Sequence, residues 1–169
     1  MQTKTRELIK IVEFEPRYQQ AVEDVVLPIQ MIEFGLPYPR EKQPDLMDIP
    51  GTFQKGKGNF WVALHEGVVI GTIGIVDIGN AQVALKKMFV HKDYRGKDHG
   101  VAAALLENAM DDCRAQGIKS VFLGTVGHYY AAHRFYEKND FVQVDKSALP
   151  AAFPIVSVDE KWYRRDLSN

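Results

Sequence analysis

The stretch from Gly100 to Gln116 constrains the fold most. Its apolar residues Ala102, Leu105, Leu106, Ala109, Met110 and Cys113 stand at offsets 0, 3, 4, 7, 8 and 11, which is one buried stripe of an α-helix. Gly117 follows where a helix ends on a left-handed residue free of Cβ strain. A β-rich run, Ala81 to Val90, precedes this helix and a short apolar run, Ile118 to Thr125, follows it. Strand, helix and neighbouring strand in that order make a crossover, which sets the two strands parallel.

The rest of the chain reads around that unit. Leu8 to Phe14 alternates as a strand, and Arg17 to Met31 carries Tyr18, Val22, Val25, Val26 and Ile29 at helical spacing despite Pro28. From Glu33 to Gly58, Pro37, Pro39, Pro44 and Pro50 interrupt any period, predicting an irregular loop with one short helix. Phe60 to Leu64, Val68 to Ile78 and Ala81 to Val90 are separated by short turns, so three antiparallel strands form a meander. Tyr130 to Lys138 reads as a helix with Asn139 at its left-handed cap, before closing strands at Phe141 to Asp145 and Lys161 to Asp166. No repeat or break in composition appears, so residues 1–169 read as one mixed α/β (α+β) domain. Its sheet is mostly antiparallel, with strands 4 and 5 parallel and helices flanking it.

With 21 Lys+Arg against 22 Asp+Glu, the chain has no broad attraction for phosphate backbones, and nucleic acid is not an expected partner. The segment from Met1 to Phe14 lacks a signal-peptide core and no run of about 18 apolar residues occurs, so a cytoplasmic protein with no membrane partner is expected. Cys113 is the single cysteine, which excludes an internal disulfide and a multi-cysteine zinc site. His65, His91 and His99 sit in turns without metal-ligand spacing, and no metal is expected.

Chemistry concentrates between Met88 and Ala102, where a strand ends, a glycine turn follows and a helix begins. The first N–H groups of that helix lack intrahelical partners, and the positive end of its dipole favours an anion. Arg95 and Lys97 add cationic charge there. A phosphate site and a solvated strand-to-helix turn both fit this stretch, and the turn alone does not decide. Neither a P-loop nor a three-glycine dinucleotide fingerprint is present.

The chain resembles the GNAT superfamily of N-acetyltransferases over at least Phe60 to Asp166. Arg95-Gly96-Lys97-Asp98-His99-Gly100 matches the first and last positions of that family's Arg/Gln-x-x-Gly-x-Gly/Ala signature. Ala132 to Phe141 is similar to its Ala-x-x-Phe-Tyr-Glu-Lys-x-Gly-Phe block. The resemblance implies acetyl-CoA as cosubstrate. Backbone groups of Met88 and Val90 would bond its pantetheine, a backbone N–H near Phe89 or Val90 would stabilise a developing oxyanion, and N–H groups of Arg95, Gly96, Lys97, Asp98, His99, Gly100 and Val101 would hold its pyrophosphate. Asp98 stands where the signature has Gly, placing a carboxylate in what reads as the first helical turn, where its side chain is expected to turn aside. Tyr129 stands where many members have Asn, at the expected cost of a cofactor contact. Asp140 replaces the usual Gly before Phe141, and Asn139 is expected to take the left-handed angle instead.

Tyr136 matches the tyrosine that meets the cofactor sulfur in the family. Full proton transfer from a phenol of pKa about 10 to a thiolate is uphill by about 2 kcal/mol in water, so a hydrogen bond to the leaving sulfur is the expected role. The base is not assignable: Glu33, Asp45 and Asp48 read first as solvated loop charges, and His128 and His133 first as surface or packing groups. Cys113 lies on the buried stripe, which favours direct transfer in a ternary complex over an acetyl-cysteine. The expected acceptor is a primary amine, either a small molecule or a peptide. A CoA-binding sensor without turnover and a protein lysine or N-terminal acetyltransferase are the alternatives. Acceptor choice is expected in Glu33 to Gly58 and Ala148 to Ile155. Trp61, Trp162, Tyr38 and Phe53 read first as core. Exposed sheet edges are compatible with a homodimer.

Overall fold

The computed structural model describes residues 8–96 and 98–167. The strands β1 (Ile9–Glu13), β2 (Asn59–His65), β3 (Val68–Gly79), β4 (Gln82–Val90), β5 (Ser120–Thr125), β6 (Val142–Val144) and β7 (Lys161–Asp166) form one sheet in the order β1-β2-β3-β4-β5-β7-β6. Neighbours are antiparallel except β4 and β5, which are parallel. The helices are α1 (Gln19–Pro28), α2 (Pro44–Met47), α3 (Ile49–Phe53), α4 (Val101–Ala115) and α5 (Tyr130–Lys138).

Two apolar layers cover the sheet because strand residues alternate in direction. On β2, Trp61 and Ala63 pack with Leu105, Leu106, Ala109, Met110 and Cys113, the stripe of α4. Phe60 and Val62 pack on the other face with Val22, Val25 and Val26 of α1 and with Leu46, Ile49 and Phe53. Gly74 of β3 permits that second layer: a Cβ there would lie 2.5 Å from Cε1 of Phe53.

Several boundaries differ from the sequence reading. Arg17 to Met31 is three elements: a 3₁₀ turn over Pro16–Tyr18, α1, and a π turn over Ile29–Glu33 that begins just after Pro28. Proline has no N–H to continue the ladder, which loosens it there. The expected loop with one short helix holds three helical turns, Arg40–Lys42, α2 and α3. Pro39, Pro44 and Pro50 sit at their starts, where a missing N–H costs nothing, so the residues that break the period also begin the turns. After α5 the left-handed residue is Asp140 at φ +70°, and Asn139 stays at φ −107° with its side-chain amide donating to Phe135 O at 2.8 Å. Asp140 therefore replaces Gly in conformation as well as position.

Candidate active site

Parallel pairing between β4 and β5 covers Gln82 to Ala84 against Ser120 to Phe122 and then stops. Opposite, the β3–β4 register slips between Thr72↔Phe89 and Gly74↔Lys86, with Lys87 in the left-handed region at φ +55° and its carbonyl accepting from Thr72 Oγ1 at 2.6 Å. Such a bulge bends its strand, and here β4 swings away from β5. The fork opens a cavity of about 910 Å³, lined on one side by Leu85 to Val90 and on the other by Leu123 to Val126. From Leu85 onward, β4 presents to this cavity an edge with no strand beside it among the described residues.

The head of α4 closes one end. Gly100, at φ +68°, occupies the N-cap with no side chain to cap the first helical N–H groups. The N–H groups of His99 and Gly100 turn inward to Gly96 O at 3.2 and 3.3 Å, which closes the turn ahead of α4. Met88, Phe89, Val90, Arg95, Gly96 and Gly100 line the cavity, whereas Asp98, His99 and Val101 do not. Lys97 lies outside the described residues. Asp98 precedes α4 and is exposed, so it is not in the first helical turn. Arg95 is not a free cation: Nε donates to Val90 O at 2.8 Å, and its terminal nitrogens lie 2.8 and 3.0 Å from the two oxygens of Glu33.

The other end is polar, and sequence reasoning missed most of it. The bulge puts the successive residues Lys86 and Lys87 on one side, with Nζ atoms 2.6 and 3.4 Å from the same Asp45 oxygen. Lys87 Nζ also donates to Gln43 Oε1 at 2.7 Å, and the Gln43 amide donates to Gln30 Oε1 at 2.7 Å and Tyr38 O at 2.9 Å. Burial pushes the Lys87 ammonium down to about 8 against the pull of Asp45. Burial would raise Asp45, but Lys87 and Lys86 outweigh it and hold its carboxyl below the usual range, which makes Asp45 a poor base. Across the cavity Asp159 is pushed up to about 6 by burial, with Lys86 and Lys87 countering. Its carboxylate lies over Gly124 of β5, in the space a Cβ would fill. The adjacent lysines in an otherwise apolar strand were the one visible signal of this cluster. Asp159, in an irregular loop, gave none.

Tyr136 of α5 is buried at the cavity wall, packed against Phe141 and Tyr163. Burial raises its phenol well above the ordinary value, which keeps it protonated. Tyr129 also lines the cavity, its ring 3.7 Å from that of Phe34 and its hydroxyl buried without a partner. His133 is a packing group whose Nε2 lies 3.0 Å from Val126 O, and His128 is exposed. Glu33 is tied to Arg95, and Asp48 caps α3 by accepting from Gly51 N. Trp61 and Phe53 are core, Trp162 packs with Phe122 and Phe153, and Tyr38 lines the cavity. Among the described residues no cluster of three metal-ligating side chains occurs, and no helix is long and apolar enough to cross a membrane.

A parallel strand pair that forks in a mostly antiparallel sheet, with a helix head at one end of the cleft and tyrosines along its wall, defines an α/β fold with the cleft at the strand fork. The Acetyltransferase (GNAT) family matches residues 24–141, and the chain belongs to that family. It is 36% identical over 104 residues to N-acetylaspartate synthetase of Xenopus tropicalis, covering 59% of this chain and 37% of that protein. It is 32% identical over 109 residues to streptothricin acetyltransferase A of Bacillus subtilis, covering 64% of this chain and 61% of the relative. The match thus spans less than two thirds of either relative. A GNAT acetyltransferase of Staphylococcus aureus Mu50 superposes with a TM-score of 0.90 at 34% identity, over 95% of this chain and 99% of that one. The fold is shared at 16% identity, TM-score 0.72, with a Thermoplasma acidophilum N-acetyltransferase solved in complex with coenzyme A, over 94% of this chain and 99% of that one.

Proposed function

We propose that this chain moves an acetyl group from acetyl-CoA to a primary amine by direct transfer in a ternary complex. The observation that carries it is the fork: an unpaired β4 edge running from the uncapped head of α4 to a carboxylate and a buried phenol. The free edge, the orphaned Tyr129 hydroxyl and the open space at Gly96 fit a thioester with a pantetheine arm and a diphosphate. Met88, Phe89 and Val90 would hold the arm, and N–H groups of Arg95, Gly96, Asp98 and Val101 the diphosphate, with the left-handed Gly100 shaping that end. The N–H of His99, bonded to Gly96 O, acts within the turn.

When bound, acetyl-CoA supplies the acetyl thioester. An alkyl ammonium of pKa near 10.4 is neutral about once in 10³ molecules at pH 7, so a base is required. Asp159, at about 6, is ionised at neutral pH and takes one proton from the ammonium; the second, shed as the nitrogen bonds the acetyl carbon, goes to the departing thiolate. The carbon–sulfur electron pair leaves with sulfur, and the Tyr136 hydroxyl donates a hydrogen bond to it without giving up its proton. Cys113 is buried in α4 with its thiol pushed up to about 12, which supports direct transfer over a cysteine relay. The relatives are named for N-acetylaspartate and streptothricin, so no single acceptor carries over. Calorimetric titration with CoA and thiol release from acetyl-CoA across an amine panel test the reading: binding with amine-dependent release is expected, and binding without release on any amine would leave a sensor.

A further inference from the structure

Resting on that reading, we propose that the acceptor is a small amine bearing a carboxylate, its anion held at Lys87 and its amine directed to Asp159. The two groups face the same cavity from opposite arms of the fork, Lys87 from β4 and Asp159 from over β5. Two ammonium groups meet a single carboxylate, Asp45, so one positive charge at this end has no counter-charge within 4.0 Å among the described residues. Asp159 acts on both lysines through space but makes no ion pair with either, so the contact position at Lys87 stays open to a ligand anion. A buried charge is tolerated when paired, and an incoming carboxylate completes the pairing.

The ammonium is also built into place. Lys87 sits on the bulge fixed by Thr72, and Gln43, fully buried, accepts from its Nζ while being held by Gln30 and Tyr38. That leaves the third N–H of the Lys87 ammonium for a ligand. A lysine side chain brings its amine to Asp159 with no anion for Lys87, so a lysine-bearing peptide lacks the pairing that this end offers.

The test compares each of the common α-amino acids with its own α-carboxamide in the acetyl-CoA thiol-release assay. The carboxamide keeps the amine and the size and removes the charge. At least one amino acid is expected to exceed its amide by about 10- to 100-fold in kcat/KM, in line with a charge-assisted hydrogen bond. Lys87→Met should collapse that ratio through the KM of the acid, and Lys87→Arg should restore part of it, which a purely structural lysine would not do. Amides that match their acids, a ratio unmoved in Lys87→Met, or a lysine peptide acetylated in preference to every amino acid overturns the proposal while leaving acetyl transfer standing. No turnover on any amine despite CoA binding removes both.

Discussion

Asp159 is a carboxylate held where it is most expensive to ionise, and that gives it a measurable signature. Its value of about 6 lies above the ordinary carboxylate range, so the fold favours its protonated form. Stability from this group is complete below about pH 4 and is lost as pH rises through about 6. Asp159→Asn is therefore expected to raise Tm at pH 7–8, by roughly 2–4 °C for each 1 kcal/mol recovered, in differential scanning fluorimetry. The same variant should lose about 10²-fold or more in kcat, and the rise of kcat through pH 6 expected of the parent should vanish. A retained limb would assign the base elsewhere. Besides burial, the facing groups that set this titration are Lys86 and Lys87, while the Asp159 carboxylate in turn raises the facing phenols of Tyr38, Tyr129 and Tyr136. Tyr136→Phe should lower kcat by about 10- to 100-fold with little change in KM, the value of a hydrogen bond to a developing charge.

At the scale of elements, α4 has two separable tasks. Its stripe anchors it to the sheet, and Leu105, fully buried, is expected to cost about 2–5 kcal/mol on truncation to alanine, read by urea unfolding. Its head, by contrast, depends on Gly100 at φ +68°. Gly100→Val places a β-branched residue where left-handed backbone costs about 1–2 kcal/mol, so CoA affinity measured by calorimetry should fall by at least about tenfold. Unchanged affinity would detach the helix head from the diphosphate. The π turn after α1 links the same parts: Glu33 clamps Arg95 and Phe34 stacks on Tyr129, so both acceptor-side contacts reach across to the cofactor side.

The whole molecule places a cleft between two arms of one sheet, so a ligand there bridges strands whose direct pairing is limited to Gln82–Ala84 against Ser120–Phe122. CoA at about 100 times its Kd is expected to stabilise by about 2.7 kcal/mol, a rise of roughly 5–11 °C in a thermal shift assay. Absence of any shift at saturating concentration would show that the fork is not the binding site.

The sequence by itself determined the elements whose signal is local. The stripe of α4, Gly117 at φ +79°, the three-strand meander and α5 from Tyr130 to Lys138 all depend on period and turn chemistry within a short window. The two motif blocks also sufficed to mark the β4–α4 junction and Tyr136. What the fold alone decided is the acceptor end. The bulge that turns Lys86 and Lys87 to one side comes from slippage against β3, and the approach of Asp159 comes from the missing Cβ at Gly124. Glu33 neutralises Arg95 across 62 residues of sequence, and Gln43 reaches Lys87 across 44. Charges and hydrogen bonds at such separations leave no periodic trace, because they depend on which surfaces the sheet brings together and not on the residues beside them in the chain.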